Sequence, residues 1–178
     1  QVRLADRYAQ GRGVEGSPVQ AAAWLRRAAE QGSPEGQSIF GFCCLEGFGV
    51  KKDADQAAAW FRKSAAKGCR EGWFGLAICY LYGAGTAQND RPAADLCRCA
   101  AEQGNVKAMI RLGACCLEGR GTARDLGAAE DWLCRAVKTG DAQGWKDKLD
   151  RTQALRLLAE ASYARYAAGE TKSQTEER

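Results

Sequence analysis

The stretch FGFCCLEGFGVKKDADQAAAWFRKSAAKG, from Phe40 to Gly68, decides the fold, because its landmarks recur along the chain at a fixed interval. It contains a Gly-x-Gly pair, then a bulky apolar residue, and it closes on a single glycine. Each landmark occurs four times with a step of 36 residues: the pairs begin at Gly11, Gly47, Gly83 and Gly119, the bulky residues are Trp24, Trp60, Leu96 and Trp132, and the single glycines are Gly32, Gly68, Gly104 and Gly140. A period of this length is typical of solenoids and related repeat architectures.

The residues after each Gly-x-Gly pair predict where a helix begins and ends. The equivalent positions hold Ser17, Asp53, Asn89 and Asp125. All four are residue types whose side chains accept a free N–H in the first turn of a helix. Alanines and the bulky residue follow at helical spacing, and the single glycine is expected to end the helix in the left-handed conformation. We call these the B helices, and the second is predicted to span about residues 53–67.

A second set of helices, the A helices, precedes each Gly-x-Gly pair. In the second repeat Gly36, Phe40, Gly41 and Cys44 lie on one stripe, and its small members allow helix A to approach helix B. A single hairpin of this kind cannot bury both of its faces, so neighbouring hairpins must stack. The sequence therefore predicts an all-α fold, a right-handed α-solenoid of 36-residue helix-turn-helix repeats with a C-terminal capping helix.

The same period predicts the boundaries along the chain. Repeat 1, incomplete at its N-terminal end, is expected over residues 1–33, and three further repeats over 34–69, 70–105 and 106–141. Residues 142–169 are predicted to form the capping helices, the last from about Thr152 to Ala168, with Leu155 on its inner face and Arg165 on its outer face. The polar residues 170–178 are expected to be a disordered tail.

This pattern resembles that of the Sel-1-like repeat family, whose fold is similar to that of tetratricopeptide repeats. The match runs position by position through one repeat, at Phe40, Gly41, Gly47, Gly49, Val50, Asp53, Ala57, Trp60, Ala65 and Gly68. The resemblance implies an adaptor or assembly factor that binds other proteins. Among bacterial members it also implies two alternatives, an immunity or inhibitor protein against a secreted toxin and, in a cysteine-rich branch, a β-lactam-binding or β-lactam-hydrolysing enzyme. That branch pairs two cysteines per repeat, whereas here only Cys69 lies at the corresponding junction.

We expect a protein–protein interaction scaffold that binds a peptide or partner protein on its concave face, and not an enzyme. The chain has no histidine, the commonest general base and metal ligand, and no catalytic, cofactor-binding or metal-binding residues are predicted. Acidic and basic residues are interspersed at a net charge of +4, which does not favour nucleic-acid binding. No apolar run of about 18 residues predicts membrane insertion. A monomer is favoured.

The nine cysteines are expected to be mostly free. Cys43, Cys79 and Cys115 are equivalent positions on successive A helices. Packed helices lie roughly 8–10 Å apart, whereas a disulfide needs Cα atoms within about 7 Å, so these positions cannot bridge neighbouring repeats. Free, buried thiols favour a reducing, cytoplasmic compartment, and a periplasmic or secreted location stays open if a leader was removed.

The partner-binding residues are predicted from A-helix positions outside the core stripe. Apolar and aromatic residues recur at these positions, and an exposed apolar patch usually marks an interaction site. The predicted set is Ser38, Phe42, Phe74, Ile78, Tyr82, Ile110, Arg111 and Ala114. The alternative, that these residues pack against neighbouring A helices, stays open. Trp60 is predicted to be buried in the core between its own A helix and the next repeat.

Overall fold

The computed structural model describes residues 1–11, 16–145 and 147–169. Within them the chain forms nine helices and no strand: α1 Val2–Gln10, α2 Pro18–Glu30, α3 Pro34–Glu46, α4 Ala54–Ala65, α5 Arg70–Tyr82, α6 Asp90–Glu102, α7 Val106–Glu118, α8 Leu126–Gln143 and α9 Lys148–Ala167. Helices α1, α3, α5 and α7 are the A helices, and α2, α4, α6 and α8 are the B helices. This confirms the predicted all-α solenoid of helix-turn-helix repeats.

The predicted N-caps begin the B helices. Ser17, Asp53 and Asp125 accept the backbone N–H three residues later, at 3.3, 2.9 and 2.8 Å. Asn89 caps α6 in a tighter form, because its side-chain oxygen accepts the backbone N–H of Arg91 at 3.2 Å. Each of these bonds satisfies an N–H that has no partner within the helix.

At Gly49 and Gly85, the second glycine of the Gly-x-Gly pair is required by close packing between repeats. Gly49 has a φ of +67°, and a Cβ atom there would lie 2.0 Å from the carbonyl oxygen of Pro18 in the first turn of α2. Gly85 stands in the same relation to Ala54 of α4, at 2.1 Å. These two A–B turns therefore rest on the first turn of the preceding B helix, and only glycine leaves room for this contact.

The prediction that Gly140 ends the fourth B helix is wrong. Helix α8 continues through Gly140 to Gln143 and ends at Gly144, whose φ is +71°. The indole of Trp145 occupies the space of a side chain at Gly140, where a Cβ atom would lie 2.4 Å from the ring. Gly140 is therefore a packing position for Trp145 and not a helix terminator.

The tryptophan position of the B helices is less buried than predicted. Trp60 is only half-buried, and the same holds for Trp24, Leu96 and Trp132. The next residue in each repeat is buried instead: Leu25, Phe61, Cys97 and Leu133 are 5%, 0%, 0% and 0% exposed. Trp60 packs against its own A helix as predicted, edge-on to Phe40 at 5.8 Å, but the prediction of full burial is wrong, since Lys63 lies over its outer side at 4.2 Å.

The terminal helix α9 also departs from its predicted faces. Leu155, expected inside, is 42% exposed, and Arg165, expected outside, is 6% exposed. Arg165 is buried because its guanidinium forms an ion pair with Glu130 of α8 at 2.5 Å, and the same carboxylate accepts a bond from Ser162 at 3.3 Å. The predicted tail at residues 170–178 lies outside the described residues.

The chain divides into two compact units, with the boundary between Leu96 and Cys97 inside α6. The first unit contains α1 to α5 and the beginning of α6, and the second contains the rest of α6 with α7, α8 and α9. In the described part of the chain no helix has the length and apolar character needed to span a bilayer.

Candidate functional site

The predicted partner-binding residues fall into three groups by exposure. Ser38, Phe74 and Ile110 occupy equivalent positions and are 1%, 9% and 3% exposed, so the expectation that they lie on an open surface is wrong. Their position on the A helix faces the interior, and the Ser38 hydroxyl donates to the backbone oxygen of Glu35 at 2.9 Å. Buried residues of this kind support packing and cannot anchor a partner directly.

The other members of the set are at least partly open to solvent. Phe42, Ile78 and Ala114 are equivalent and half-buried, as is Arg111, and Tyr82 is 62% exposed. Ile110, Arg111 and Ala114 belong to the second unit and the remaining five residues to the first. The role of these residues in binding stays a prediction. One of them, Phe42, also lines a groove in the first unit.

This groove is open and lies between α1 and α3, with a volume of about 490 Å³. We call it the first groove. Its lining is mainly apolar, and it comprises Val2, Arg3, Ala5, Asp6 and Ala9 of α1, Leu25 of α2, Ile39, Phe42, Cys43 and Glu46 of α3, and Phe48 in the turn that follows. A concave, largely apolar cavity of roughly 300–1,000 Å³ is the usual form of a binding site.

The next junction of A helices shows how such a space is closed. There α3 packs against α5, and the Phe61 ring fills the space between them. A Cβ atom at Gly75 would lie 2.3 Å from that ring, so the glycine admits the ring against the α5 backbone. Phe42 adds a second ring, 4.7 Å from Phe61 and steeply inclined to it. Two rings and one glycine therefore seal this junction.

The equivalent residues at the first groove are all different. At the positions 36 residues earlier, Leu25 corresponds to Phe61, Asp6 to Phe42 and Ile39 to Gly75. A leucine fills less volume than a phenylalanine, and a carboxylate cannot take the place of a buried ring without a large desolvation cost. Ile39 places a branched side chain where the closed junction has none. The first groove is therefore lined by a smaller apolar residue, a carboxylate and a branched side chain where the closed junction has two rings and a glycine.

The first groove combines an apolar floor with charge at its edge. Ile39 and Phe48 are 37% and 39% exposed, so apolar surface is directly accessible. Arg3, Asp6 and Glu46 supply the charge, two carboxylates against one guanidinium. Asp6 accepts a hydrogen bond from Gln10, whereas Glu46 forms no hydrogen bond or ion pair with any described residue. Glu46 is thus free to receive a cation.

Cys43, in the wall of the groove, does not supply reactive chemistry. Burial, with smaller contributions from the nearby Cys44 and Glu46, raises the pKa of its thiol to about 11. Since the thiolate is the nucleophile and the metal ligand, this thiol is inactive as either at neutral pH. Among the described residues no group of three or more Cys, Asp or Glu side chains is placed to hold a metal ion.

Sequence reasoning missed Ile39, Phe48 and the α1 residues of this site. It looked for residues that recur from repeat to repeat, and recurrence selects positions that build the core. The signal that identifies the groove is the opposite one, a break in the pattern at Asp6, Leu25 and Ile39. A comparison of equivalent positions for their differences would have found it.

Comparison with known proteins gives one family and two related folds. The Sel1 repeat family model matches residues 1–33, 34–69, 74–105 and 106–141. A search of curated protein sequences finds no significant match. The 36-residue spacing of the landmarks agrees with the matched ranges.

Two solved structures are similar over most of the chain. One is a protective antigen of uropathogenic Escherichia coli strains that displays an SLR fold, with 29% identity and a TM-score of 0.70 over 92% of this chain and 37% of that one. The other is a Sel1 repeat protein from Oxalobacter formigenes, with 23% identity and a TM-score of 0.75 over 90% of this chain and 68% of that one. The chain thus spans little more than a third of the length of the first relative. Because the family model covers all four repeats, this chain belongs to the Sel1 repeat family.

Proposed function

We propose that the first groove holds a segment of a partner protein, so that the chain acts as a protein-binding scaffold. Sel1 repeat proteins are generally protein–protein interaction scaffolds, and the family is mainly non-catalytic. The observation that carries the proposal is the opening between α1 and α3, where apolar surface is left uncovered. A second observation supports a non-catalytic role, since the only thiol in the groove wall is held protonated.

The dimensions of the groove favour a protein segment with one or two large apolar side chains. A helix or extended strand laid between two A helices would place such side chains on Leu25 and Phe42, with Ile39 and Phe48 at the rim. Grooves between helices take peptides in this way, with a few apolar anchors at regular spacing. Truncation of an anchor that fills such a pocket typically costs a tenfold or greater loss of affinity.

The charges at the edge of the first groove indicate which residue type of the partner segment lies next to its apolar anchor. Asp6 and Glu46 give this edge an excess of negative charge over Arg3. A lysine or arginine next to the apolar anchor would pair with these carboxylates, which improves both specificity and the rate of association. The occupant is therefore a segment that carries a large apolar residue flanked by a basic residue.

A displayed library of random peptides, selected on the purified protein, tests the proposal. The selected sequences should share a large apolar residue flanked by Lys or Arg. A fluorescent copy of the best sequence should bind the Phe48→Ser variant at least about tenfold more weakly than the unmodified protein, as expected for the loss of an anchor contact.

The matched control is Val19→Ser on α2, which removes an apolar side chain that is 66% exposed and outside the groove. Binding to this variant should be unchanged. A selection that yields no common sequence, or peptides that bind Phe48→Ser and the unmodified protein equally well, would reject the first groove as the site.

A further inference from the structure

The terminal helix α9 has two apolar faces, and only one of them is covered. The inner face packs against α8 and α7 through Ala154, Leu157 and Ala161, which are 0%, 5% and 0% exposed. The opposite face carries Leu155, Ala159, Tyr163 and Tyr166, all of them exposed. The exposed fractions of the three larger side chains are 42%, 74% and 85%. We call these four residues the α9 outer face.

The α9 outer face is a continuous stripe. Its members are separated by four, four and three residues, which is the spacing of side chains stacked along one side of a helix. The stripe lies opposite the buried side chains, so α8 and α7 cannot reach it. Exposed stripes that contain two aromatic rings are typical of surfaces that contact another protein.

We propose that the α9 outer face binds the same face of a second copy of this chain, with the two helices antiparallel. Leu155 and Tyr163 lie symmetrically about Ala159, and Tyr166 extends the stripe at one end. In an antiparallel pair centred there, Ala159 meets Ala159 of the second copy, where a small residue allows close approach. Four residues to either side, Leu155 then meets Tyr163 of the second copy. A two-fold interface requires this kind of self-complementary surface.

The charges beside the stripe fit the same arrangement. Arg156 and Glu160 lie on one flank of the α9 outer face and are 67% and 50% exposed. Within one helix their side chains form only a weak contact at 3.9 Å. In the antiparallel pair Arg156 lies about two residues along the helix axis, roughly 3 Å, from Glu160 of the second copy. Two symmetric ion pairs would therefore form, and flanking pairs of this kind set the orientation of paired helices.

Sedimentation equilibrium over a concentration series tests the self-association. A pair of 20-residue helices is about 30 Å long and makes an interface smaller than that of a stable dimer, so dissociation in the micromolar to millimolar range is expected. Tyr163→Glu should abolish the dimer because it places a charge against Leu155 of the second copy. Arg156→Glu should weaken it, and the double variant Arg156→Glu with Glu160→Arg should restore it because the flank is complementary again.

Cross-linking identifies the surface independently of the affinity. In a Cys99→Ser background, which removes the exposed native thiol, Ala159→Cys should form a covalent dimer under mild oxidation. The matched control is Val19→Cys, placed at another exposed position, which should stay largely monomeric. Cross-linking at Ala159→Cys that Tyr163→Glu suppresses would support the arrangement. A protein that remains monomeric at millimolar concentration, or equal cross-linking at the two positions, would overturn it.

Discussion

Two junctions between neighbouring A helices can be compared within the first unit of this molecule. The junction of α3 and α5 is closed by Phe61, which is fully buried, and by the ring of Phe42. The junction of α1 and α3 has Leu25 and Asp6 at the same two positions and remains open as the first groove. Both junctions lie between A helices of the same repeat pattern, although α1 has 9 residues and α3 and α5 have 13 each. Repeats that share their turns can thus differ in how the space between their A helices is filled.

The comparison also shows which features of a repeat are free to vary. The landmarks that set the turns are present on both sides of the groove, at Gly47, Gly49 and Asp53. These residues determine the backbone and cannot report on function. The residues that fill the space between A helices do not affect the turns, so they can differ between junctions without loss of the fold. We therefore expect function where a residue between two A helices differs from its equivalents in the other repeats.

Opening the closed junction is expected to have the largest effect. Phe61→Ala removes the ring that fills the space between α3 and α5, and truncation of a buried phenylalanine typically costs about 3–5 kcal/mol. Hydrogen exchange should speed up most in α3, α4 and α5, because a solenoid couples mainly through neighbours. Denaturant unfolding measures the loss of free energy directly.

The neighbouring residue supplies the control for that experiment. Trp60→Ala removes a larger side chain that is only half-buried, packs edge-on against Phe40 and is covered by Lys63. Its cost is expected to be about 1–2 kcal/mol, in the range of ordinary single substitutions. An equal or larger cost for Trp60→Ala than for Phe61→Ala would show that the core register described above is wrong.

Adding a side chain at the closed junction should cost less stability, and a second substitution should compensate for part of that cost. Gly75→Ala places a Cβ atom 2.3 Å from the Phe61 ring, so one of the two must shift. Overpacking of this kind costs roughly 1–3 kcal/mol. The double variant Gly75→Ala with Phe61→Leu imitates the smaller residue found at Leu25 and should lose less stability than the sum of the two single changes.

A double-mutant cycle measured by denaturant unfolding gives the coupling between the two positions. The matched control pairs Gly75→Ala with Val19→Ser, whose side chain is exposed on α2, and this pair should be additive within about 0.5 kcal/mol. An additive result for Gly75 and Phe61 would mean that the glycine is not needed to admit the ring.

Filling the first groove should change binding more than stability. Leu25→Phe imports the residue that closes the second junction, and the open space can receive the additional ring. The free energy of unfolding is expected to change by less than about 1.5 kcal/mol, as for volume changes that a site can accommodate. The peptide selected on the unmodified protein should no longer bind, as measured by fluorescence anisotropy. Normal binding by a folded Leu25→Phe variant would place the partner elsewhere.

The fold could be predicted from the sequence because its signals are local and repeated. Ser17, Asp53 and Asp125 cap their helices as expected, since an N-cap bond forms within four residues. The register of the core could not be predicted with the same success. Trp60 and Phe61 are adjacent and both apolar, and the choice between them depends on Gly41 and Gly75, which belong to two other helices.

The candidate site was missed for a related reason. The sequence pattern selected Ser38, Phe74 and Ile110 as an exposed row because they lie outside the core stripe, but these positions are buried. Which side of an A helix is covered depends on how closely the adjacent helix approaches, and no local signal encodes that distance. Arg165 shows the same limit, since its burial depends on Glu130, thirty-five residues away.

The smallest expected effect concerns two equivalent thiols, Cys43 in the wall of the first groove and Cys79 on α5. Burial is the largest cause that raises the pKa of both thiols to about 11. Their alkylation rates at pH 9 depend on access as well as on the thiolate fraction. Cys43 is 5% exposed beside an open groove and Cys79 is 0% exposed, so Cys43 should react severalfold faster in the folded protein.

Site-resolved mass spectrometry separates both from Cys99, whose exposed position should make it the first to react. Leu25→Phe should slow Cys43 and leave Cys79 unchanged, because only the first junction is filled. Equal rates at Cys43 and Cys79 would mean that the two junctions open equally often in solution, and the contrast between an open and a closed junction would then not hold.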